Sequence, residues 1–230
     1  MAIFALIPAA GSGARMRAAT PKQYLPLAGQ PLLWHAVRAV CVPQVSAVFV
    51  VLAANDEHFA RHDWSAFGDK VNPLYCGGDT RRESVLHGLA ALRGAVEADD
   101  WMLVHDAARP CVPATDLDKL LEEGSGDAIG AILALPVAET VKRAGKDEGG
   151  VQRIAATEDR AQLWLAQTPQ LFRTGLLMQA LAGAPHATDE AAAVEHLGLR
   201  PRLVLGSRDN LKVTFPEDLA IAEAILARRR

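Results

Sequence analysis

The chain has 230 residues, half of them hydrophobic, which excludes a disordered chain and is enough to bury one substantial core, so a single domain over residues 1–230 is expected. With 24 basic and 27 acidic side chains the net charge is −3, which excludes a global field that gathers nucleic acid or an anionic membrane and leaves anion binding to local basic clusters. Three cysteines, Cys41, Cys76 and Cys111, lie far apart without the paired spacing of a zinc site or disulfide framework, which points to a reducing, cytoplasmic setting.

In chain order, the first apolar run, residues 2–10, lacks a basic start and leads into a glycine loop, so it reads as a buried strand at 3–7 rather than a signal peptide. Further apolar runs of strand length fall at 47–53, 101–104, 128–135 and 202–205, mostly separated by helical patterns. Such strands, apolar on both faces, predict an α/β fold: a single Rossmann-like, mostly parallel sheet with helices on both faces. None of the runs approaches the roughly 20 residues that span a bilayer, so no membrane partner is expected. Thr80-Arg81-Arg82-Glu83 has the spacing of a capping box and predicts a helix from about Arg81. Between 137 and 157 helical periodicity is absent, and two short runs flank a glycine-rich turn at 145–150. That pattern predicts a projecting β-hairpin, either a surface flap or an arm that grips another subunit. Thr214-Phe215-Pro216-Glu217 repeats the capping spacing before a last helix over 219–226, and Arg228, Arg229 and Arg230 read as its solvated cationic end.

The first strand ends in Pro8-Ala9-Ala10-Gly11-Ser12-Gly13-Ala14-Arg15-Met16, followed by Pro21-Lys22-Gln23-Tyr24. Small residues let backbone amides turn toward phosphate oxygens. Alone, Gly11-x-Gly13 is explained as well by a tight turn. Met16 stands where a dinucleotide loop wants its third glycine, and no Gly-Lys-Ser or Gly-Lys-Thr follows, so neither a nicotinamide oxidoreductase nor a Walker loop is favoured. Arg15 and Lys22 taken singly are ordinary surface cations; together, on this loop, they suit a triphosphate and the charge that develops on an attacked phosphorus.

Asp106 follows the run at 101–104, on the edge where open parallel sheets hold ligands, and Asp209 follows the run at 202–205, from which it is expected to meet Asp106 across the site. Magnesium takes one or two carboxylates beside phosphate oxygens and water, so the pair would suffice, although each aspartate alone reads equally as a turn or cap. His105 points to the face opposite Asp106 and reads as structural.

These segments resemble the nucleotidyltransferases that activate sugar phosphates, above all the 2-C-methyl-D-erythritol 4-phosphate cytidylyltransferase family of the non-mevalonate isoprenoid pathway. The likeness runs on through Gly77-Gly78-Asp79-Thr80-Arg81-Arg82-Glu83-Ser84-Val85, Val104-His105-Asp106-Ala107-Ala108-Arg109-Pro110, Pro136-Val137-Ala138-Glu139-Thr140-Val141-Lys142, Gln167-Thr168-Pro169-Gln170, Thr188-Asp189-Glu190-Ala191 and Asp209-Asn210-Leu211-Lys212-Val213-Thr214, nearly the whole chain. It implies CTP and a small polyol phosphate as substrates and Mg2+ as cofactor, held by Asp106 and Asp209. It implies Arg15, Lys22 and Lys212 as catalytic, and Ala9, Ala10, Gly11, Gly13, Gly78, Asp79, Ser84 and Ala107 around the nucleotide. The acceptor phosphate would meet Arg109, Thr188 and Lys212 of one subunit, with Thr140 and Arg160 from a partner in a homodimer whose arm is 137–157. On its own Arg160, beside Glu158 and Asp159, reads equally well as a surface ion pair. The length leaves no room for the cyclodiphosphate synthase domain some relatives carry, so one activity is expected. Two rivals stand beside this reading: another sugar-phosphate nucleotidyltransferase, and a non-catalytic nucleotide-binding module on the same fold.

Overall fold

The opening apolar run forms β1 (Ile3–Pro8) in the computed structural model, which describes residues 1–11, 16, 20–145 and 149–229. After it come a short ribbon, β2 (Pro26–Leu27) and β3 (Gln30–Pro31), then α1 (Leu32–Val40), β4 (Ala47–Val51), β5 (Val71–Leu74), α2 (Arg81–Ala91), β6 (Trp101–Val104) and α3 (Ala114–Ser125). The second half contributes β7 (Gly130–Pro136), β8 (Lys142–Ala144), β9 (Ile154–Thr157), β10 (Trp164–Arg173), α4 (Thr174–Gly183), α5 (Glu190–His196), β11 (Arg202–Leu205) and α6 (Glu217–Ala227). Seven strands form one sheet in the order β11-β7-β10-β6-β1-β4-β5. Only β10 runs antiparallel to its neighbours, β6 and β7.

Alternation along the central strands assigns their side chains to two cores. Ala5 and Ile7 of β1 and Trp101 and Leu103 of β6 pack with Leu33 and Val37 of α1 and Leu117 and Leu120 of α3. Leu6, Met102 and Val104 face the other way, against Val85 and Leu89 of α2, Leu177 and Leu181 of α4 and Val194 of α5. The strands read as continuous apolar runs because both faces are covered, each fully buried Leu or Ile stabilising by about 1.5–3 kcal/mol. A third cluster, including Leu32, Cys111, Val213, Ala222 and Ile225, seats α6 beside the sheet.

The capping box at Thr80 forms with both halves: its hydroxyl accepts from Glu83 N at 3.1 Å, and the Glu83 carboxylate accepts from Thr80 N at 2.9 Å. The second capping expectation needs correction. Pro216 occupies the cap of α6, and the Asp218 carboxylate, a stronger acceptor than a hydroxyl, takes the Thr214 and Phe215 amides at 2.7 and 2.8 Å. The final arginines are not a merely solvated end either: Arg228 and Arg229 both grip Asp209, at 2.9 and 3.2 Å, while Arg230 lies outside the described residues. The hairpin pairs β8 with β9 as expected, the second strand starting at Ile154 rather than 151. Strand β10 was hidden because Gln167-Thr168-Pro169-Gln170 reads as a breaker; the chain passes it with a register shift between Ala166 and Gln170. Among the described residues no helix is long and apolar enough to cross a membrane.

Candidate active site

From β1 the next sheet strand, β4, lies on one side and β6 on the other, so a crevice opens at the carboxyl ends of β1 and β6, the usual ligand position of such sheets. A cavity of about 260 Å³ lies there, edged by Pro8 to Gly11 after β1, Lys22 and Gln23, Gly78 to Arg81 with Ser84 at the start of α2, Asp106 to Ala108 after β6, and Lys212. Local packing explains the small residues. A methyl group on Gly77 would sit 2.2 Å from the Ala10 Cβ and 2.8 Å from the Leu52 carbonyl oxygen, so only glycine lets this segment pass against the first loop. Gly78 N donates to Ser84 Oγ at 3.1 Å, and that hydroxyl donates to Thr80 O at 3.0 Å, so Ser84 closes the turn that carries Asp79. Gln23 Nε2 reaches Ala9 O at 2.7 Å and binds the Lys22 segment to the end of β1. Lys22 Nζ donates to Val213 O at 2.9 Å.

A second cavity, about 180 Å³, is lined by Arg109, Ala166, Gln167, Thr168, Gln170, Thr188 and Asp189, and it shares Arg81, Asp106 and Lys212 with the first. Asp106 is therefore the junction. Its Oδ1 accepts from Arg81 Nε at 2.8 Å, its Oδ2 lies 2.7 Å from Lys212 Nζ, and Arg109 Nε stands 3.8 Å away. Burial alone would raise this carboxyl's pKa, but Arg81, Lys212 and Arg109 outweigh it and hold it well below the usual range. Arg109 is itself buried, donating to Asn210 O at 2.6 Å, while its Nε, within ion-pair distance of Asp106, makes no hydrogen bond among the described residues.

His105 is fully buried and supports Asp106 from behind. Its Nε2 donates to Arg109 O at 2.9 Å, which leaves Nδ1 to accept from Thr168 Oγ1 at 3.1 Å, and that hydroxyl accepts from the Asp106 amide at 2.9 Å. Burial depresses its pKa to about 4, so the neutral ring is the folded form. The unfolded imidazole takes up a proton near pH 6.5 and the folded one does not, so stability is full above 6.5 and falls below it. By pH 4 the loss from this group is about 3 kcal/mol. Urea unfolding from pH 8 to 4.5 should show that slope in the parent and its absence in a folded His105→Gln variant.

The geometry brings Ala9, Ala10, Gly11, Lys22, Gly78, Asp79, Ser84, Asp106, Ala107 and Lys212 to the first cavity, and Arg109 and Thr188 to the second. Gly13 and Arg15 lie outside the described residues. Three expected residues stand apart. Asp209 borders neither cavity, because Arg228 and Arg229 hold its carboxylate. Thr140 and Arg160 are exposed and line neither cavity of their own chain, Arg160 donating to Ala138 O. Among the residues that line the cavities without a role in the sequence reading are Arg81, Gln167 and Thr168, and the fully buried Glu190 grips Arg81 at 2.7 Å. Among the described residues, the larger cavity of about 540 Å³ beside Trp34, Arg38 and Arg229 has neither a residue of the glycine loop nor a side-chain carboxylate on its wall.

Among the described residues no cluster of three or more His, Cys, Asp or Glu could hold a metal by itself. An ionised Asp106 shared by both cavities, with one oxygen held by the partly exposed Lys212, nevertheless fits magnesium, a hard cation that binds through one or two carboxylates plus phosphate oxygens and water.

Residues 3–228 match the family model described as IspD, 2-C-methyl-D-erythritol 4-phosphate cytidylyltransferase. A protein of that name from Azoarcus sp. (strain BH72) is 54% identical over 227 residues, 98% of this chain and 94% of its own. Another, from Nitrosospira multiformis, is 55% identical over 228 residues, 97% of each chain. A crystal structure of 4-diphosphocytidyl-2C-methyl-D-erythritol synthase matches with a TM-score of 0.84 and 41% identity, covering 98% of both chains.

Proposed function

The chain belongs to the 2-C-methyl-D-erythritol 4-phosphate cytidylyltransferase family, and on that premise we propose that a phosphate oxygen of the acceptor attacks the α-phosphorus of CTP directly. The enzyme moves the cytidylyl group of CTP onto 2-C-methyl-D-erythritol 4-phosphate in isoprenoid precursor synthesis, and pyrophosphate leaves. The attacking phosphate is already ionised, so no general base is required, and the protein's contribution is alignment and charge stabilisation. Lys22, with Arg15 on the same loop, steadies the triphosphate from one side. Lys212 serves the reacting phosphates at the junction, and Arg109 and Thr188 seat the acceptor's phosphate. Backbone groups of Ala9, Ala10, Gly11, Gly13, Gly78, Asp79 and Ala107, with Ser84, surround the nucleotide. Magnesium, when bound, neutralises triphosphate charge and stabilises the departing pyrophosphate. Asp106 would hold it, and for Asp209 to join, its ion pairs with Arg228 and Arg229 must first open.

The observation that carries this reading is the meeting of two cavities at Asp106 and Lys212, with Lys22 on one side and Arg109 and Thr188 on the other. Pyrophosphate release is expected from CTP with 2-C-methyl-D-erythritol 4-phosphate and magnesium. UTP, GTP, ATP and other sugar phosphates should give little, and chelation should stop it. CTP binding without release across all acceptors would leave only a nucleotide-binding module.

The same reading makes residues 1–230 one catalytic domain in the cytoplasm, with 137–157 as the arm of a homodimer that carries Thr140 and leads to Arg160, both reaching the partner's acceptor. Exposed apolar side chains on this flank, Ile154, Trp164, Leu165, Leu203 and Leu205, support burial against a second copy. A test follows from shared sites. Arg160→Ala and Lys22→Ala, each strongly impaired alone, should recover about a quarter of parental activity when mixed and re-equilibrated, since half the dimers are mixed and one site in each is intact. No recovery from an equilibrated mixture would count against the shared site.

A further inference from the structure

Of the three cations around Asp106, the two nearest hold it in unlike ways. Arg81 gives Nε to Asp106 Oδ1 at 2.8 Å while its two terminal nitrogens grip both oxygens of Glu190, at 2.7 and 2.9 Å. Glu190 is fully buried in the first turn of α5, and that turn is fixed to β10. Gln170 Nε2 donates to Asp189 Oδ2 at 2.9 Å, Gln170 Oε1 accepts from Ala191 N at 2.9 Å, and Asp189 Oδ1 caps the helix through Ala192 N at 2.9 Å. Lys212, by contrast, reaches Asp106 Oδ2 at 2.7 Å from a side chain that is 41% exposed. A guanidinium committed on every side cannot leave without breaking two charge-assisted bonds to a buried carboxylate. An ammonium on a flexible, partly solvated stem exchanges its partner at small cost.

We propose that Glu190 is a positioning residue: it locks Arg81 so that Oδ1 of Asp106 stays occupied and Oδ2, held by the exchangeable Lys212, is the oxygen that would be given to the nucleotide's magnesium. Lys212 would then be free to serve the reacting phosphates. The locked cation fixes the carboxylate's rotamer, and the loose one keeps the site neutralised until CTP enters. Arg81 borders both cavities, so the same lock spaces the two substrates. The inference rests on the reading of Asp106 as the carboxylate that holds the ion.

The test is Glu190→Gln, which keeps the volume and one acceptor for the fork but drops its charge, read by Mn2+ paramagnetic resonance with CTP and no acceptor. Mn2+ affinity in the presence of CTP and kcat are each expected to fall about ten- to hundredfold, as losses of residues behind a metal ligand do. Metal-free CTP affinity and KM for the acceptor should change by less than about threefold, uniform binding being untouched. Arg81→Lys, whose side chain is partly solvated, should lose Mn2+ affinity in the same way and decides the matter if Glu190→Gln does not fold. Folded variants that only melt earlier, with Mn2+ affinity and kcat within about twofold of the parent, overturn the proposal and make Glu190 a structural anchor. A parent enzyme without turnover or Mn2+ binding would instead remove the reading beneath it.

Discussion

Lys22→Ala is expected to fold as the parent does and to turn over CTP about a hundred- to thousandfold more slowly, the usual cost of one preorganised donor to transition-state charge. The fold should survive because the backbone on either side is held by other groups. Gln23 is tied to Ala9 O, and Tyr24 is buried with its hydroxyl on Asp56 at 2.8 Å. The Lys22 ammonium itself gives up a hydrogen bond to Val213 O, worth about 1 kcal/mol. That loss is small against the roughly 3–4 kcal/mol that the rate effect represents, so catalysis and stability separate cleanly. The loss should fall mainly on kcat, because charge on the phosphoryl oxygens grows between bound CTP and the transition state. Rapid-quench turnover beside a thermal melt checks both halves. A folded variant within about threefold of parental kcat would remove Lys22 from the catalytic set.

What could be read from the sequence was local. The apolar run into small residues and glycine marked β1 and its loop, and the box at Thr80 and Glu83 marked the start of α2, because each signal is complete within a few positions. The run at 101–104 gave Asp106 its sheet edge for the same reason. Arg81 was hidden in plain view: between Thr80 and Glu83 it reads as the first residue of a capped helix, and its partner Glu190 stands 109 positions away. Thr168 was hidden differently, since a proline-centred motif reads as a turn while the chain continues it as a strand with a shifted register. For Asp209, position after β11 suggested the same edge as Asp106, but the side chain pairs with two cations at the C-terminal end of the last helix. Those are Arg228 and Arg229, which a sequence pattern assigns to solvent. Long-range charge pairing is the part of the site that periodicity and spacing do not encode.

Asp106→Asn should damage both stability and turnover, because it removes one charge that three cations share. Arg81 keeps Glu190 and needs nothing more, and Lys212, partly exposed, can turn to water. Arg109 cannot: it is buried, its Nε makes no hydrogen bond, and no carboxylate other than Asp106 lies within ion-pair reach among the described residues. Breaking such a buried pair by removing one partner costs about 3–5 kcal/mol, and with two of the three cations provided for, the lower end is expected. The pH dependence has a definite sign. The folded carboxyl titrates well below its unfolded counterpart, so its contribution is complete above the unfolded pKa of about 3.9 and declines as pH falls below that value toward the folded one. The stability gap between parent and variant should therefore stay constant from neutral pH to about 5 and narrow in stronger acid. Turnover should fall by at least about a hundredfold, since the loss of a carboxylate at the junction removes both the proposed holder of the ion and the counter-charge of Lys212. Urea unfolding at several pH values, beside pyrophosphate release at neutral pH, measures the two effects separately. An Asp106→Asn enzyme that keeps parental turnover would show that neither cavity uses this carboxylate, and with it would go the junction on which both substrates are aligned.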